Sequence, residues 1–117
     1  MATSVVVFLV AILHVYILVL EMFFWDKPLG RKAFGLSANF AAQTKTLAAN
    51  QGLYNGFLAA GLFWGLALGQ AGFSIKVFFL LCVFIAGVYG GLTANKKILL
   101  IQAVPAALGL VLLFLAA

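Results

Sequence analysis

Long apolar runs separated by short polar breaks dominate this chain. The first run extends from about Thr3 to Trp25, with Glu21 its only charge. An uncharged stretch follows from Thr46 to Ile75, and Gly69-Gln70-Ala71-Gly72 near its end has the composition of a turn. Dividing it there gives a second span at about Leu47 to Leu68 and a third at about Phe73 to Ala94, with Lys76 near the start of the third. A fourth runs from about Ile98 to Leu115. Segments of ~20 apolar residues, rising ~1.5 Å per residue, match a hydrocarbon layer of ~30 Å. The pattern predicts an all-α fold, a bundle of four transmembrane helices over about residues 3–25, 38–68, 73–94 and 98–115. A single integral membrane domain would then cover 1–117, with a cytoplasmic loop at 26–37.

Composition agrees with that pattern. Apolar residues make up 67 % of the chain and charged residues 8 %, and the mean hydropathy is +1.25. Soluble domains are roughly half apolar and about a quarter charged, and a chain this small has too much surface to hide so much hydrocarbon from water. A soluble enzyme, a disordered chain and a nucleic-acid module are excluded on that ground. One cysteine, Cys82, rules out an internal disulfide and reads as a small packing residue. The first residues carry no Lys or Arg, and no small-residue cleavage site follows the apolar run, so the first segment reads as a retained helix rather than a secretory signal.

The net charge of +5 rests on seven Lys and Arg residues, and their placement is a topology signal. Lys27, Arg31, Lys32 and Lys45 lie between the first two spans, and Lys96 and Lys97 between the last two. The opposite side has Lys76 alone. Positive loops stay inside, so both basic loops are expected in the cytoplasm and both termini outside, in the inner membrane of a bacterium. Ser37 is placed to cap a helix starting near Ala38, which would span ~45 Å through Leu68 and project its first turns into the cytoplasm. The alternative rests Phe34, Leu36 and Phe40 on the headgroups, with Arg31 and Lys32 touching anionic lipid.

Polar groups within spans are costly and need an account. With the helices run in these directions, His14 falls near mid-membrane. Glu21, Asn50, Gln51, Tyr54, Asn55 and Gln102 all fall in the cytoplasmic half, and Trp25 suits that interface. His14 and Glu21 are seven residues apart, on one helix face but ~10 Å apart along the axis. Trp25, four residues past Glu21, would share the face. One reading makes Glu21 the anionic floor of a polar pocket with Asn50, Asn55 and Gln102 as walls. The other has Glu21 pairing with Lys97 or Arg31 while the amides and His14 tie helices together. Gly52/Gly56, Gly61/Gly65/Gly69 and Gly87/Gly91 are small-residue patterns suited to close helix approach. Pro105 is placed to perturb the last helix and free a carbonyl near residue 101. One His and two acidic residues form no metal-binding constellation, and no phosphate loop or Ser-His-Asp set is present. No cofactor is indicated.

Two stretches are distinctive: His14-Val-Tyr-Ile-Leu-Val-Leu-Glu-Met-Phe-Phe-Trp25 and Leu47-Ala-Ala-Asn-Gln-Gly-Leu-Tyr-Asn-Gly-Phe-Leu58. With Gly30-Arg-Lys-Ala-Phe-Gly-Leu36 between them, the chain resembles the domain of unknown function 1304 family of small bacterial and fungal membrane proteins. That resemblance implies four helices and names no activity. A fainter likeness links Gln51-Gly-Leu-Tyr54-Asn55 to the second helix of the membrane-associated eicosanoid and glutathione metabolism proteins, which are four-helix trimers. Tyr54 stands where that pattern has glutamate and Ala48 where it has arginine, so it implies only that chains of a homo-oligomer enclose a site. Three functions are compatible with these features. The first is binding or transforming an amphiphilic small molecule or lipid at Glu21, His14, Trp25, Asn50, Gln51, Tyr54, Asn55 and Gln102. The second is a structural or accessory role beside another membrane protein. The third is a small oligomeric transporter.

Overall fold

A computed structural model describes all 117 residues, and every regular element in it is helical. Five α-helices form: α1 Ala2–Phe23, α2 Pro28–Phe34, α3 Ala38–Ala67, α4 Phe73–Thr93 and α5 Val104–Ala116. A 3-10 turn, Gly69–Gly72, joins α3 to α4, and a π-turn, Leu99–Ala103, leads into α5. Helix α2 arises in the segment expected to be a loop. Pro28 supplies the preset φ of a first turn, and Gly35, at φ 66°, ends the helix by donating its N–H to the Arg31 carbonyl. The first helix stops at Phe23, so Trp25 lies beyond it and does not continue the Glu21 face.

Three helical segments are long and apolar enough to cross a membrane: Ala2–Phe23, Gly69–Thr93 and Leu99–Ala116. They point to a membrane protein. Many of their large side chains face outward, among them Leu9, Ile85, Leu92 and Phe114, a surface that water would penalise and lipid accepts. Helix α3 is longer than any of them at 30 residues, but Asn50, Gln51, Tyr54 and Asn55 interrupt its hydrocarbon character.

The chain divides into two compact units, one formed by Met1–Ile12 with Leu58–Ala117 and the other by Leu13–Phe57. The larger unit is centred on Val7, Val10, Ala11, Leu62, Leu80, Val83, Ala106 and Leu113. Its last two helical segments run antiparallel. Leu99 stands against Gly91, Ala103 against Gly87, and Leu80 against Gly109. Asn95 makes the reversal by accepting the Lys97 N–H on its side chain at 2.9 Å and the Ile98 N–H on its carbonyl at 3.0 Å. The irregularity associated with Pro105 takes the form of the π-turn, in which the Val104 N–H reaches the Leu99 carbonyl five residues back. A cation holds the other reversal: Lys76 is buried, and its Nζ donates to the Gly69 carbonyl at 3.0 Å. A charge placed there satisfies an orphan acceptor just past the end of α3.

Residue 87 is where this unit tolerates least change. A Cβ there would stand 2.6 Å from the backbone nitrogen of Ala103, which cannot swing aside as a side chain would. Gly87→Ile is expected to destabilise the protein by about 1–3 kcal/mol. Ala86→Ile, on the exposed side of the same helix, should change little. Thermal unfolding in detergent compares the two; equal melting temperatures would refute the contact.

Candidate functional site

The polar residues singled out by the sequence concentrate in the Leu13–Phe57 unit, where the second half of α1 meets the first two-thirds of α3. Helix α3 starts where Ser37 accepts the Phe40 N–H at 3.2 Å, the side-chain cap that satisfies an otherwise orphaned donor. Ala41, Ala48, Gly52 and Asn55 then form its buried stripe. Small residues matter here because they let the helix backbones approach closely. A Cβ on Gly52 would lie 2.6 Å from Met22 Cγ and 3.2 Å from the Leu18 carbonyl oxygen. One on Gly56 would lie 2.6 Å from Leu18 Cδ1.

That approach brings Asn55 onto Glu21. The Asn55 amide donates to Glu21 Oε1 at 2.6 Å and also reaches its own helix at the Gln51 carbonyl, 3.2 Å away. Both side chains are nearly sealed, with Glu21 8 % exposed and Asn55 9 %. The partner of Glu21 is thus a neutral amide. Of the two cations the sequence left open as partners, Lys97 and Arg31, the second is engaged elsewhere: the Arg31 Nε donates to the Leu36 carbonyl at 3.5 Å. His14, two turns before Glu21, is completely buried.

The other candidates are arranged differently. Asn50, Gln51 and Tyr54 are exposed. At ~100° per residue, Asn50 and Tyr54 lie ~140° and ~100° around α3 from Asn55, turned away from the Glu21 contact, whereas Gln51, only ~40° from Asn55, sits at the exposed edge of that contact. The Tyr54 ring packs edge-to-face on Phe57 at 5.7 Å. Trp25 donates its indole N–H to Thr44 Oγ1 at 2.9 Å, and Thr44 in turn donates to the Phe40 carbonyl at 2.7 Å. Its ring lies 4.9 Å from that of Phe34. Gln102, half-buried on the π-turn, belongs to the other unit. The geometry therefore joins Glu21 to Asn55 and leaves Asn50, Gln51 and Tyr54 facing outward.

Elsewhere in the same unit, Lys45 Nζ and Asp26 Oδ2 form an ion pair at 3.2 Å. The Lys45 hydrogen bond, aided by the charges of Lys45 and Lys27, holds the Asp26 carboxyl below its usual range. Asp26 therefore stays ionised to more acidic pH, and the pair is lost only as pH falls through that lowered value. The side chains of His, Cys, Asp and Glu do not gather in threes. What the site offers chemically is one carboxylate, fixed by an amide, in an apolar surround. Such a group can accept hydrogen bonds, balance a cation or take a proton.

Thr44, in the Leu13–Phe57 unit, is legible only through Trp25, whose indole N–H needs an acceptor when its ring is partly covered. Lys76, in the larger unit, is a marker of sidedness in the sequence, but a lysine in an apolar helix must also find a partner.

A family model described as "Protein of unknown function (DUF1304)" matches residues 8–114. The uncharacterized protein YpaA of Lactococcus lactis subsp. lactis (strain IL1403) is 32 % identical over 111 residues, covering 93 % of this chain and 93 % of that one. No solved structure matches. The family match takes in both the Glu21-bearing and the Asn55-bearing helix, and nearly all of the chain around them. This chain belongs to the DUF1304 family.

Proposed function

We propose that the chain is a multi-pass protein of the bacterial cytoplasmic membrane that binds, or acts on, an amphiphilic small molecule or lipid whose polar head engages Glu21. One observation carries this reading: a buried carboxylate whose hydrogen-bond partner is the neutral Asn55 amide. Removing an ionised carboxylate from water is expensive unless an opposite charge or several donors compensate it. Asn55 supplies one donor and no charge. A ligand head that brings a cation or further donors would complete the compensation, and an apolar tail would suit the surrounding hydrocarbon. Intramembrane ionisable groups of this kind are most often functional.

In the same reading α3 is the fourth span. It has the length for this, ~45 Å at ~1.5 Å per residue, and Leu53, Phe57 and Trp64 expose hydrocarbon along it. Four spans put both termini on one side, and the basic loops put that side outside the cytoplasm. Reporter enzymes that work only outside the cytoplasm should be active when fused to either end. Activity at one end only would leave three spans and overturn this topology.

A second reading has its own support. Asn50, Gln51 and Tyr54 are exposed on α3, and exposed amides in lipid are costly unless another chain covers them. That favours a homo-oligomer, or an accessory subunit docked on a larger membrane protein, with Glu21 and Asn55 as a staple. Glu21→Gln discriminates, because glutamine has nearly the same shape and can still accept from Asn55. On the ligand reading it keeps the melting temperature within a few degrees, while the small molecule seen by native mass spectrometry drops at least about tenfold, the effect of ~1.4 kcal/mol. An unchanged bound mass would refute the ligand reading.

A further inference from the structure

The short helix α2 plays no part in the Glu21 site, yet its placement is tightly defined. Gly30 is buried against the Phe24 carbonyl, so close that a Cβ would collide with it. At the far end of α2, Phe34 packs on Trp25, which Thr44 holds from α3. One side of α2 is thereby committed to the end of α1. At ~100° per residue, the remaining circumference divides into two flanks. Lys27 and Arg31, four residues apart, lie on one. Leu29 and Ala33, also four apart, lie on the other, and Lys32 points opposite Gly30. Leu29 is half-exposed and Lys32 exposed. Asp26, the acidic residue nearest this surface, is already engaged by Lys45.

We infer that α2 is a docking surface for the headgroups of anionic lipids. Lys27, Arg31 and Lys32 meet the phosphates, while Leu29 and Ala33 enter the boundary between headgroups and acyl chains. Charge complementarity selects this occupant. Three cations sit within six residues, with the nearby carboxylate neutralised, and an anionic leaflet attracts such clusters beside a span. The apolar flank distinguishes a bilayer from a dissolved anion, since a free phosphate gains nothing from Leu29. Arg31 is further oriented by its bond to the Leu36 carbonyl. This inference rests on the reading of the chain as membrane-embedded, but not on any ligand at Glu21.

The test reconstitutes the full chain in bilayers of phosphatidylcholine with a minor share of phosphatidylglycerol, extracts it gently and weighs the lipids that remain bound. The wild type should retain phosphatidylglycerol above its share. In Arg31→Gln/Lys32→Gln that enrichment should fall at least about fivefold, the effect of one surface charge or more. Lys96→Gln/Lys97→Gln, in the other basic loop, should keep it. Inorganic phosphate should compete no better than sodium chloride of equal ionic strength. Equal enrichment in the first variant, equal loss in the second, or selective displacement by phosphate would each overturn the inference. Failure of the wild type to enter bilayers at all would overturn the membrane reading with it. Insertion without enrichment would overturn the docking surface alone.

Discussion

Hydrocarbon supplies no hydrogen bonds, so a polar group carried into it must be answered by the chain itself or by something bound to it. Helices answer the backbone's needs automatically; side chains and irregular joints require individual solutions. Three appear in this protein, and each fixes a place in the fold. The amide of Asn55 answers Glu21, and that bond needs α1 and α3 to touch, which Gly52 and Gly56 permit. The Lys76 ammonium answers the carbonyl of Gly69 where the chain turns from α3 to α4. The π-turn at Leu99–Ala103 absorbs the backbone disturbance just before Pro105. Burial of apolar surface cannot supply this specificity in lipid, where a leucine is equally content facing outward.

Much of this organisation was legible in the sequence, for reasons that can be named. Apolar runs of spanning length set the helices, because the hydrophobic period of a lipid-facing segment is simply its length. Ser37 marked the start of α3 through a local side-chain bond to a nearby N–H group. Lys96 and Lys97 marked the break before the last helix, where the structure adds the bond from the Lys97 N–H to the Asn95 side chain. The segment holding α2 was harder to read. Pro28 and Gly35 are helix punctuation as well as turn residues, and seven residues are too few for periodicity to decide between the two.

The site was only partly legible. Glu21 and the amide-rich segment of α3 stand out by composition, but composition does not say which amide faces inward. That was decided by the small-residue stripe: Asn55 shares a face with Ala48 and Gly52, while Asn50 and Tyr54 do not. A shared depth does not make polar residues neighbours, because residues at the same height can point away from each other around a helix. Gln102 illustrates a further limit, because depth alone does not say which unit a residue belongs to.

The two tryptophans fall one to each unit. Trp25 lies in Leu13–Phe57, with its indole N–H engaged by Thr44, and Trp64 lies in the larger unit with its ring exposed. Their emission therefore comes from two unlike surroundings, one hydrogen-bonded beside Phe34 and the other facing outward. The chain thus carries its own pair of optical probes, already distributed so that a disturbance confined to the Glu21 unit and one confined to the larger unit would leave different spectral signatures.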